Sequence, residues 1–514
     1  MNRKRARFRL YAGAALVAGL LLRLWFVAHL ARVAGDSLVY GDLAKNWLQS
    51  GIYGFGHQTT SAGVIVVRPT LIRLPGYPMF LATCFRLFGV ENYRAVLYVQ
   101  VAADLLTCWL ASALAGRLFG SRAALVVLWL AALCPFTANY AATPLTETLV
   151  LTTIALAFYG FARWQQAGAR FNRWLWVTCA ALAYSLLLRP EQSLLAVAVV
   201  PAMLWAALAV PGLRMDALRS TAPVWVAALC VLLPLVPWTA RNWHTFGVFE
   251  PLAPRSASDP GDPQFHGFNR WYRTWAIEFA STDLTYWNYD GNRMEVAKLP
   301  ARVFALGCLA PSGVAPESLP LYAPTAALFD DYNDQTAASW PIDDRFDQLA
   351  RRRIRASPIC YYAALPIARV LNMMFRPRVE LMPISDTWWK FPTPPRQTAF
   401  AAAYAALNLA YFALGFAGFS AWRRRAWLAP NPPGPGQRAY RELAVAMAAS
   451  IVLRAILLLF IDNSEPRYTL EFFPVFFVWI GALFAAPSQS LSTGRTAVGP
   501  AKPPHLDWKS SGAK

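Results

Sequence analysis

The sequence is poor in charged residues and has no closely spaced cysteines or histidines. Only 15% of its 514 residues are charged, whereas a soluble protein of this size carries about 25%. This deficit excludes an ordinary cytosolic enzyme. The seven cysteines include no CxxC pair, and the five histidines show no HExxH spacing. The sequence therefore lacks the common zinc and dithiol redox motifs.

Long apolar runs are the main feature of the chain. Apolar residues make up 56% of the sequence, and the mean hydropathy is +0.33. Because a helix needs about 20 apolar residues to cross a bilayer, the runs predict an all-α polytopic membrane protein, a bundle of about ten transmembrane helices. The predicted spans are 10–31, 94–115, 122–138, 145–162, 174–188, 191–210, 222–240, 398–421, 442–461 and 470–486.

The positions of the basic residues predict the orientation of these spans. The net charge of +20 would suit a nucleic-acid-binding protein, but the lysines and arginines lie in short gaps between the apolar runs, so we expect no nucleic-acid partner. They precede the first span and recur in every second gap. This pattern predicts a multi-pass protein of the inner (plasma) membrane, with membrane lipids around it and both termini in the cytoplasm.

The same orientation places two long polar segments on the outer face of the membrane. The chain then divides into four predicted parts. These are an N-terminal membrane module at 1–240 with a first outer loop at 32–93, a large outer-face segment at 241–396, C-terminal membrane helices at 397–486, and a disordered cytoplasmic tail at 487–514.

Segment 241–396 is longer than an ordinary connection, so we expect it to be folded or functional. Its acidic middle, 259–347, is an acceptor-recognition surface or a solvated loop. The apolar stretch 359–375 predicts a helix on the outer surface. Cys308 and Cys360 could pair, but free thiols are the favoured interpretation. The candidate ligands for a weakly bound divalent cation are the pairs Asp330–Asp331 and Asp343–Asp344.

A short helix is predicted directly after the first span. From Asp36 the apolar residues recur at helical spacing as far as Leu48, and Gly51 supplies a stop. Asp36 would lie at the N-cap or in the first turn of this helix. Taken alone, the residue type favours a capping role, because aspartate is a common N-cap.

A series of motifs extends from this helix to the last span. Asp36 opens the pattern D-x-x-x-Y-x-x-L-A. The later motifs are Pro75-Gly76-Tyr77-Pro78, Leu87-Phe88-Gly89, Leu145-Thr146-Glu147-Thr148-Leu149, Arg189-Pro190, Arg241-Asn242-Trp243 and Glu465-Pro466-Arg467-Tyr468. In this order, the set resembles the bacterial protein mannosyltransferase-like family, within the GT-C superfamily of polyprenyl-phosphate-sugar-dependent glycosyltransferases.

The resemblance implies an inverting glycosyltransferase that acts at the outer face of the membrane. A sugar would pass from a polyprenyl-phosphate donor to a lipid, glycan or protein acceptor, with Asp36 as general base on the acceptor hydroxyl. Many relatives carry Asp-Glu where this chain has Asp36-Ser37. The role of the second carboxylate would then be missing or taken by Asp42, which could equally be a solvated residue.

Several further residues are candidates for the same site. Guanidinium groups suit a phosphate-linked donor because they bind phosphate in a bidentate manner. Each arginine could instead be an interfacial residue that extends toward lipid phosphates. Glu147 could bind the acceptor, orient Asp36 or complement the positive end of its own helix. Tyr40 and the pair Trp271 and Trp275 could stack on a sugar or prenyl chain, with interface anchoring as the alternative. The donor phosphate-binding candidates are Arg68, Arg73, Arg189, Arg241 and Arg467.

The alternative function is a polytopic carrier or a flippase of a lipid-linked glycan, and a third is a structural subunit of an envelope complex. A carrier would place ionisable groups near the membrane midplane and would show paired, broken spans. Here most candidate groups lie at one face. Arg23, Asp104 and Arg454 lie nearer the midplane and are predicted to be internal polar partners.

Overall fold

The described part of the chain is helical, apart from one two-stranded hairpin. The computed structural model describes residues 2–58, 65–209, 217–254, 257–335, 338–390, 392–427 and 435–485. This architecture confirms the all-α polytopic membrane fold. The predicted tail at 487–514 lies outside the described residues, and the division of the chain into four parts stays a prediction.

Nineteen α-helices and two strands follow one another in the described residues, with short 3₁₀ and π helices between them. The strands are β1 (Gly54–Gln58) and β2 (Ile65–Pro69), paired antiparallel with Gly54 opposite Pro69. The helices are α1 (Asn2–His29), α2 (Asp36–Ser50), α3 (Gly76–Phe88), α4 (Tyr93–Phe119), α5 (Ser121–Ala132), α6 (Pro135–Tyr140), α7 (Glu147–Gln166), α8 (Arg173–Leu188), α9 (Ser193–Leu208), α10 (Ala217–Leu232), α11 (Leu235–Phe246), α12 (His266–Arg273), α13 (Phe279–Ser281), α14 (Tyr322–Gln335), α15 (Trp340–Ala356), α16 (Leu365–Phe375), α17 (Pro395–Trp427), α18 (Pro435–Leu458) and α19 (Phe473–Gly481).

Six helical stretches of the described chain are long and apolar enough to cross a membrane. The remaining predicted spans coincide with α5, α7, α8 and α18, which are shorter, less apolar or more charged. The count of about ten therefore stays a prediction. The six stretches are Arg5–His29, Tyr93–Phe119, Pro190–Leu208, Leu218–Phe246, Pro395–Ala426 and Pro466–Phe484.

The helix α19 is buried in the middle of the bundle, among α4, α5, α7 and α17. Two glycines of α17 allow the close approach, because a Cβ at Gly415 would lie 2.8 Å from Phe476 and one at Gly418 would lie 2.1 Å from the carbonyl oxygen of Trp479. Small residues commonly permit such contacts between membrane helices. A 3₁₀ helix, Pro466–Phe472, leads directly into α19.

Two ion pairs join helices inside the bundle. Arg23 of α1 lies 2.6 Å from the carboxylate of Asp104 of α4, and both side chains are buried. Arg454 of α18 lies 2.8 Å from Glu471. Since a buried charge is costly unless it is paired, these contacts explain how the bundle holds charged residues. They confirm the prediction that Arg23, Asp104 and Arg454 are internal polar partners.

Segment 241–396 has a hydrophobic core of its own, built from α12, α14 and α15. Trp271 and Trp275 lie in this core with 1% and 0% exposure, packed edge to face. Both the stacking role and the interface-anchoring role predicted for these two residues are therefore wrong. The sequence pattern was misleading because an isolated aromatic pair in a polar segment is equally compatible with a small buried core.

A disulfide joins Cys308 to Cys360, with their Cα atoms 5.5 Å apart. The free-thiol interpretation is therefore wrong. The two cysteines are brought together by Arg353 of α15. Its guanidinium donates to the carbonyl oxygens of Val303 and Gly307 at 2.8 and 3.2 Å. These bonds fold the loop that carries Cys308 back onto α15, next to the turn at Cys360. The contact spans 52 residues and leaves no local signal in the sequence.

Candidate active site

Asp36 is the first residue of α2 and follows the end of α1 by only a few residues. Gly35 precedes it with a φ of 55°, a left-handed conformation that glycine adopts at little cost. Gly51 ends α2 in the left-handed conformation, as the sequence predicted. The capping interpretation of Asp36 is wrong, because the N-cap is Gly35 and both carboxylate oxygens of Asp36 bind arginines.

Two guanidinium groups hold the Asp36 carboxylate. The Oδ1 atom accepts a hydrogen bond from Arg73 at 3.2 Å, and the Oδ2 atom accepts one from Arg467 at 2.9 Å. Burial disfavours the charged form, but the charges of Arg467 and Arg73 outweigh this effect and lower the pKa of the Asp36 carboxyl. Asp36 is therefore ionised at neutral pH, and 26% of its side chain remains exposed.

Arg73, in the first outer loop, is positioned by the Pro75-Gly76-Tyr77-Pro78 turn that follows it. A Cβ at Gly76 would lie 2.5 Å from the backbone of Leu187, so glycine allows the start of α3 to lie directly on the end of α8. Tyr184 of α8 also donates to the carbonyl oxygen of Gly76 at 3.1 Å. Arg73 precedes this turn and Arg189 follows α8, so the contact brings both arginines to the same region.

Glu147 extends this ion cluster toward α8. It begins α7, is 3% exposed, and its Oε1 atom lies 3.1 Å from Arg189 and 3.7 Å from Arg467. Arg467 also pairs with Glu465 of its own motif. A single carboxylate thus bridges two of the predicted phosphate-binding arginines, which favours the orienting role among the three that the sequence left open for Glu147.

The cluster continues into the bundle through Glu191 and Glu471, two carboxylates that sequence analysis did not single out. Arg189 donates to Glu191 at 2.7 Å, and Arg454 lies 3.6 Å from Glu191 and 2.8 Å from Glu471. Gln192 also donates to Glu471 at 2.6 Å. The members of the ion cluster are Asp36, Arg73, Glu147, Arg189, Glu191, Arg454, Glu465, Arg467 and Glu471. Every arginine in it therefore already has a carboxylate partner.

Three other predicted site residues have different contacts. Arg68 is exposed and lies 3.4 Å from Asp262. Arg241 donates to the backbone carbonyl oxygens of Thr70 and Tyr53, each at 2.8 Å. Asp42 accepts from the backbone N–H of Gly56 at 2.9 Å and so ties β1 to α2. The described contacts place none of these three residues in the ion cluster. The contacts of Arg241 and Asp42 instead support the fold of the first outer loop.

Tyr40 lies one turn after Asp36 on α2. Its ring packs edge to face against Tyr77, with the ring centroids 5.1 Å apart. Burial is the largest of several effects that raise the pKa of the Tyr40 hydroxyl to about 12, so this group stays protonated at neutral pH. The packing against Tyr77 supports a structural role beside Asp36.

A cavity of about 560 Å³ lies beside Asp36 and Arg467. Its far wall comes from segment 241–396 and carries Asp283, Glu380 and Asp386. Burial raises the pKa of Asp386 to about 6, and the neighbouring Asp283 adds to this effect. Sequence analysis missed these three carboxylates because they come from distant parts of a segment without a recognisable motif.

The predicted cation ligands are used for other contacts. Asp343 accepts hydrogen bonds from the backbone N–H groups of Gly267 and Phe268, both at 2.8 Å, and so holds the start of α12. Asp331 pairs with Arg345. Among the residues that the structure describes, no group of three or more His, Cys, Asp or Glu is arranged to hold a metal ion. The proposal of a divalent cation at these pairs has no geometric support.

Residues 68–240 match the family described as dolichyl-phosphate-mannose-protein mannosyltransferase. The resemblance to this mannosyltransferase family is confirmed. Arg73, Glu147 and Arg189 lie in the part of the chain that matches the family, whereas Asp36 and Arg467 lie outside it. A search of curated proteins finds no match.

The chain is also similar to solved structures of two proteins. The archaeal oligosaccharyltransferase AglB from Archaeoglobus fulgidus, in complex with an inhibitory peptide and a dolichol-phosphate, matches with a TM-score of 0.47 and 13% identity, over 94% of this chain and 50% of that one. ArnT from Cupriavidus metallidurans bound to undecaprenyl phosphate matches with a TM-score of 0.37 and 14% identity, over 92% and 77%. The apo state of ArnT gives 0.36 and 16%, over 90% and 78%. The chain therefore spans about half the length of AglB.

Proposed function

We propose that this protein is an inverting glycosyltransferase that moves a sugar from a polyprenyl-phosphate donor to an acceptor hydroxyl. The observation that carries the proposal is the Asp36 carboxylate, held between Arg73 and Arg467 on the wall of a cavity of about 560 Å³. The match of residues 68–240 to a family of dolichyl-phosphate-mannose-dependent enzymes supports the same conclusion.

In this proposal Asp36 is the general base. It accepts the proton of the acceptor hydroxyl while that oxygen attacks C1 of the sugar from the face opposite the phosphate. The bond between C1 and the phosphate oxygen breaks, and polyprenyl phosphate leaves with the bonding electron pair. Arg73 and Arg467 stabilise the charge that develops on this leaving group, because guanidinium groups form short, charge-assisted bonds to phosphate.

The donor phosphate competes with Asp36 for the same two guanidinium groups. In the absence of donor, the arginines lower the pKa of Asp36, which keeps it ionised but makes it a weak base. Phosphate binding would neutralise part of this positive charge and raise the pKa of Asp36. The base would therefore gain strength when the donor is bound.

We further propose that the cavity opens on the outer face of the plasma membrane, with both termini in the cytoplasm. The pattern of basic residues between the spans supports this orientation. The Cys308–Cys360 disulfide supports it independently, because disulfides persist in oxidising compartments and are rare in the cytoplasm.

The proposed reaction is tested with the purified full-length chain. We expect it to release polyprenyl phosphate from a polyprenyl-phosphate sugar and to form a glycosylated product from a lipid, glycan or protein fraction of the cell envelope, with mass spectrometry as the readout. Movement of labelled donor across sealed vesicles without any transfer of sugar would contradict the proposal and favour a flippase.

The pH dependence of the reaction follows from the lowered pKa of Asp36. The ionised form is needed, so we expect kcat/KM to stay constant from neutral pH to below the ordinary pKa of aspartate, about 4, and to fall only at still lower pH. Arg73→Gln removes one of the two positive charges that lower this pKa. The acid limb of the profile should therefore move to higher pH in that variant.

The profile is measured as kcat/KM against pH for the parent chain and for Arg73→Gln. Arg68→Gln is the matched control, since Arg68 is an exposed arginine of the same polar segment that pairs with Asp262 rather than with Asp36. The acid side of the kcat/KM profile of Arg73→Gln could instead stay in place or move to lower pH. Either result would show that the titrating group is not Asp36.

A further inference from the structure

A second and larger cavity, of about 740 Å³, lies apart from the one beside Asp36 and shares no lining residue with it. It is bounded by the ends of α12 and α15, by the turn that follows Cys360, and by the end of α18. Four arginines line it. They are Arg270, Arg273, Arg351 and Arg355.

The arginines of this cavity exceed their acidic partners. Asp347 is shared between Arg270 and Arg351, and Arg273 lies 3.3 Å from Asp462. Arg355 is exposed, and within the described ranges we find no hydrogen bond or ion pair to it. Two carboxylates thus face four guanidinium groups, so the cavity is positively charged and suits an anionic group.

The rest of the lining is apolar and continues onto the surface of the bundle. Phe460 lines the cavity and is 59% exposed. It lies in the turn directly after α18, whose residues Val452 and Ile456 are 55% and 47% exposed and lie four residues apart. Side chains at this spacing share one face of a helix. An exposed apolar row on a membrane helix is the face that contacts lipid chains.

The helix α16 presents a second exposed apolar face beside the cavity. Ile367 also lines the cavity and is 52% exposed, and Leu371, one turn later, is 48% exposed. The helix predicted at 359–375 is therefore present, and its place on the outer surface of the membrane stays a prediction. The arginines therefore lie where the exposed apolar surface ends. In a bilayer, such a boundary would lie at the depth of the lipid phosphates.

We propose that this cavity, which we call the arginine cavity, binds the headgroup of an anionic membrane phospholipid. The guanidinium groups contact the phosphate, and the acyl chains lie along the exposed rows of α18 and α16. The proposal does not depend on sugar transfer or on Asp36. A bound lipid would join segment 241–396 to the end of α18 and so fix the segment against the bundle.

The test uses the full-length protein in neutral detergent, with native mass spectrometry of bound lipid. We expect phosphatidylglycerol to bind at least fivefold more tightly than phosphatidylcholine. Arg355→Gln should weaken phosphatidylglycerol binding about fivefold, the effect of one positive charge close to an anionic lipid. Its matched control is Arg352→Gln, which removes an exposed arginine of the same helix that does not line the cavity.

Three results would overturn the proposal. One is equal binding of phosphatidylglycerol and phosphatidylcholine, and another is an equal loss in Arg352→Gln and Arg355→Gln. The third is displacement of phosphatidylglycerol by millimolar inorganic phosphate, which would assign the cavity to a soluble anion. Since Arg355 is exposed near the end of α15, its variant is expected to fold, and thermal unfolding in phosphatidylcholine checks this.

Discussion

Replacing Asp36 with asparagine should lower the turnover of sugar transfer about 10³-fold, within the range for loss of a general base. The substitution keeps the shape of the side chain, but it removes the charge that accepts the proton. It also removes the carboxylate that competes with the donor phosphate for Arg73 and Arg467. We therefore expect kcat to fall while KM for the donor stays the same or decreases.

The measurement is a steady-state titration of donor with the parent chain and with Asp36→Asn. Asp42→Asn is the matched control, because Asp42 lies on the same helix but binds Gly56 and not the arginines. We expect this control to retain more than half of the parent turnover. Near-normal turnover in Asp36→Asn, or an equal loss in both variants, would show that Asp36 is not the base.

Replacing Arg467 with glutamine should reduce kcat/KM for the donor about 10²- to 10³-fold, the scale of losing a group that stabilises developing charge. Arg467 is the cation between Asp36, Glu147 and Glu465. Without Arg467, less positive charge lies near these carboxylates to balance them. The site would then repel an anionic donor. Here, in contrast to Asp36→Asn, we expect KM for the donor to rise.

The same substitution should lower the free energy of unfolding by about 3 kcal/mol, since it breaks a mostly buried ion pair. Arg467→Lys separates this effect from catalysis, because lysine keeps the charge but lacks the planar fork that binds two oxygens at once. We expect Arg467→Lys to fold, as measured by thermal unfolding, and to lose at least tenfold in kcat/KM. Full activity in Arg467→Lys would contradict a phosphate contact through the guanidinium.

The sequence predicted the local elements around Asp36 well. Helical spacing after Asp36 and the stop at Gly51 gave α2 as the structure has it. The Pro75–Pro78 turn was also recognised, because proline and glycine act through the local backbone. Asp36 and Arg467 are 431 residues apart in the chain. The family resemblance singled out these two residues, and the predicted orientation of the spans placed Arg73 at the same face of the membrane. Their direct contact depends on tertiary packing, which residue spacing does not predict.

The contacts that the sequence did not predict all depend on tertiary packing. Arg241 was predicted to bind the donor phosphate because of its residue type and position. Its hydrogen bonds instead go to backbone carbonyl oxygens of the first outer loop. An arginine that pairs with a carboxylate and one that holds a loop look the same in a sequence. The carboxylates Asp283 and Asp386 show the same limit, because only the folded chain places them on the cavity wall.

The bridge between Cys308 and Cys360 has a consequence for how the protein must be produced. The disulfide anchors the chain at Cys360, and the next two residues, Tyr361 and Tyr362, line the arginine cavity. In the proposed orientation, a host that cannot oxidise thiols outside the cytoplasm would insert the hydrophobic helices but leave this part of the chain untethered. Preparations made with strong reductants would carry the same defect, so lipid retention and sugar transfer should be compared only between samples whose thiol content has been titrated.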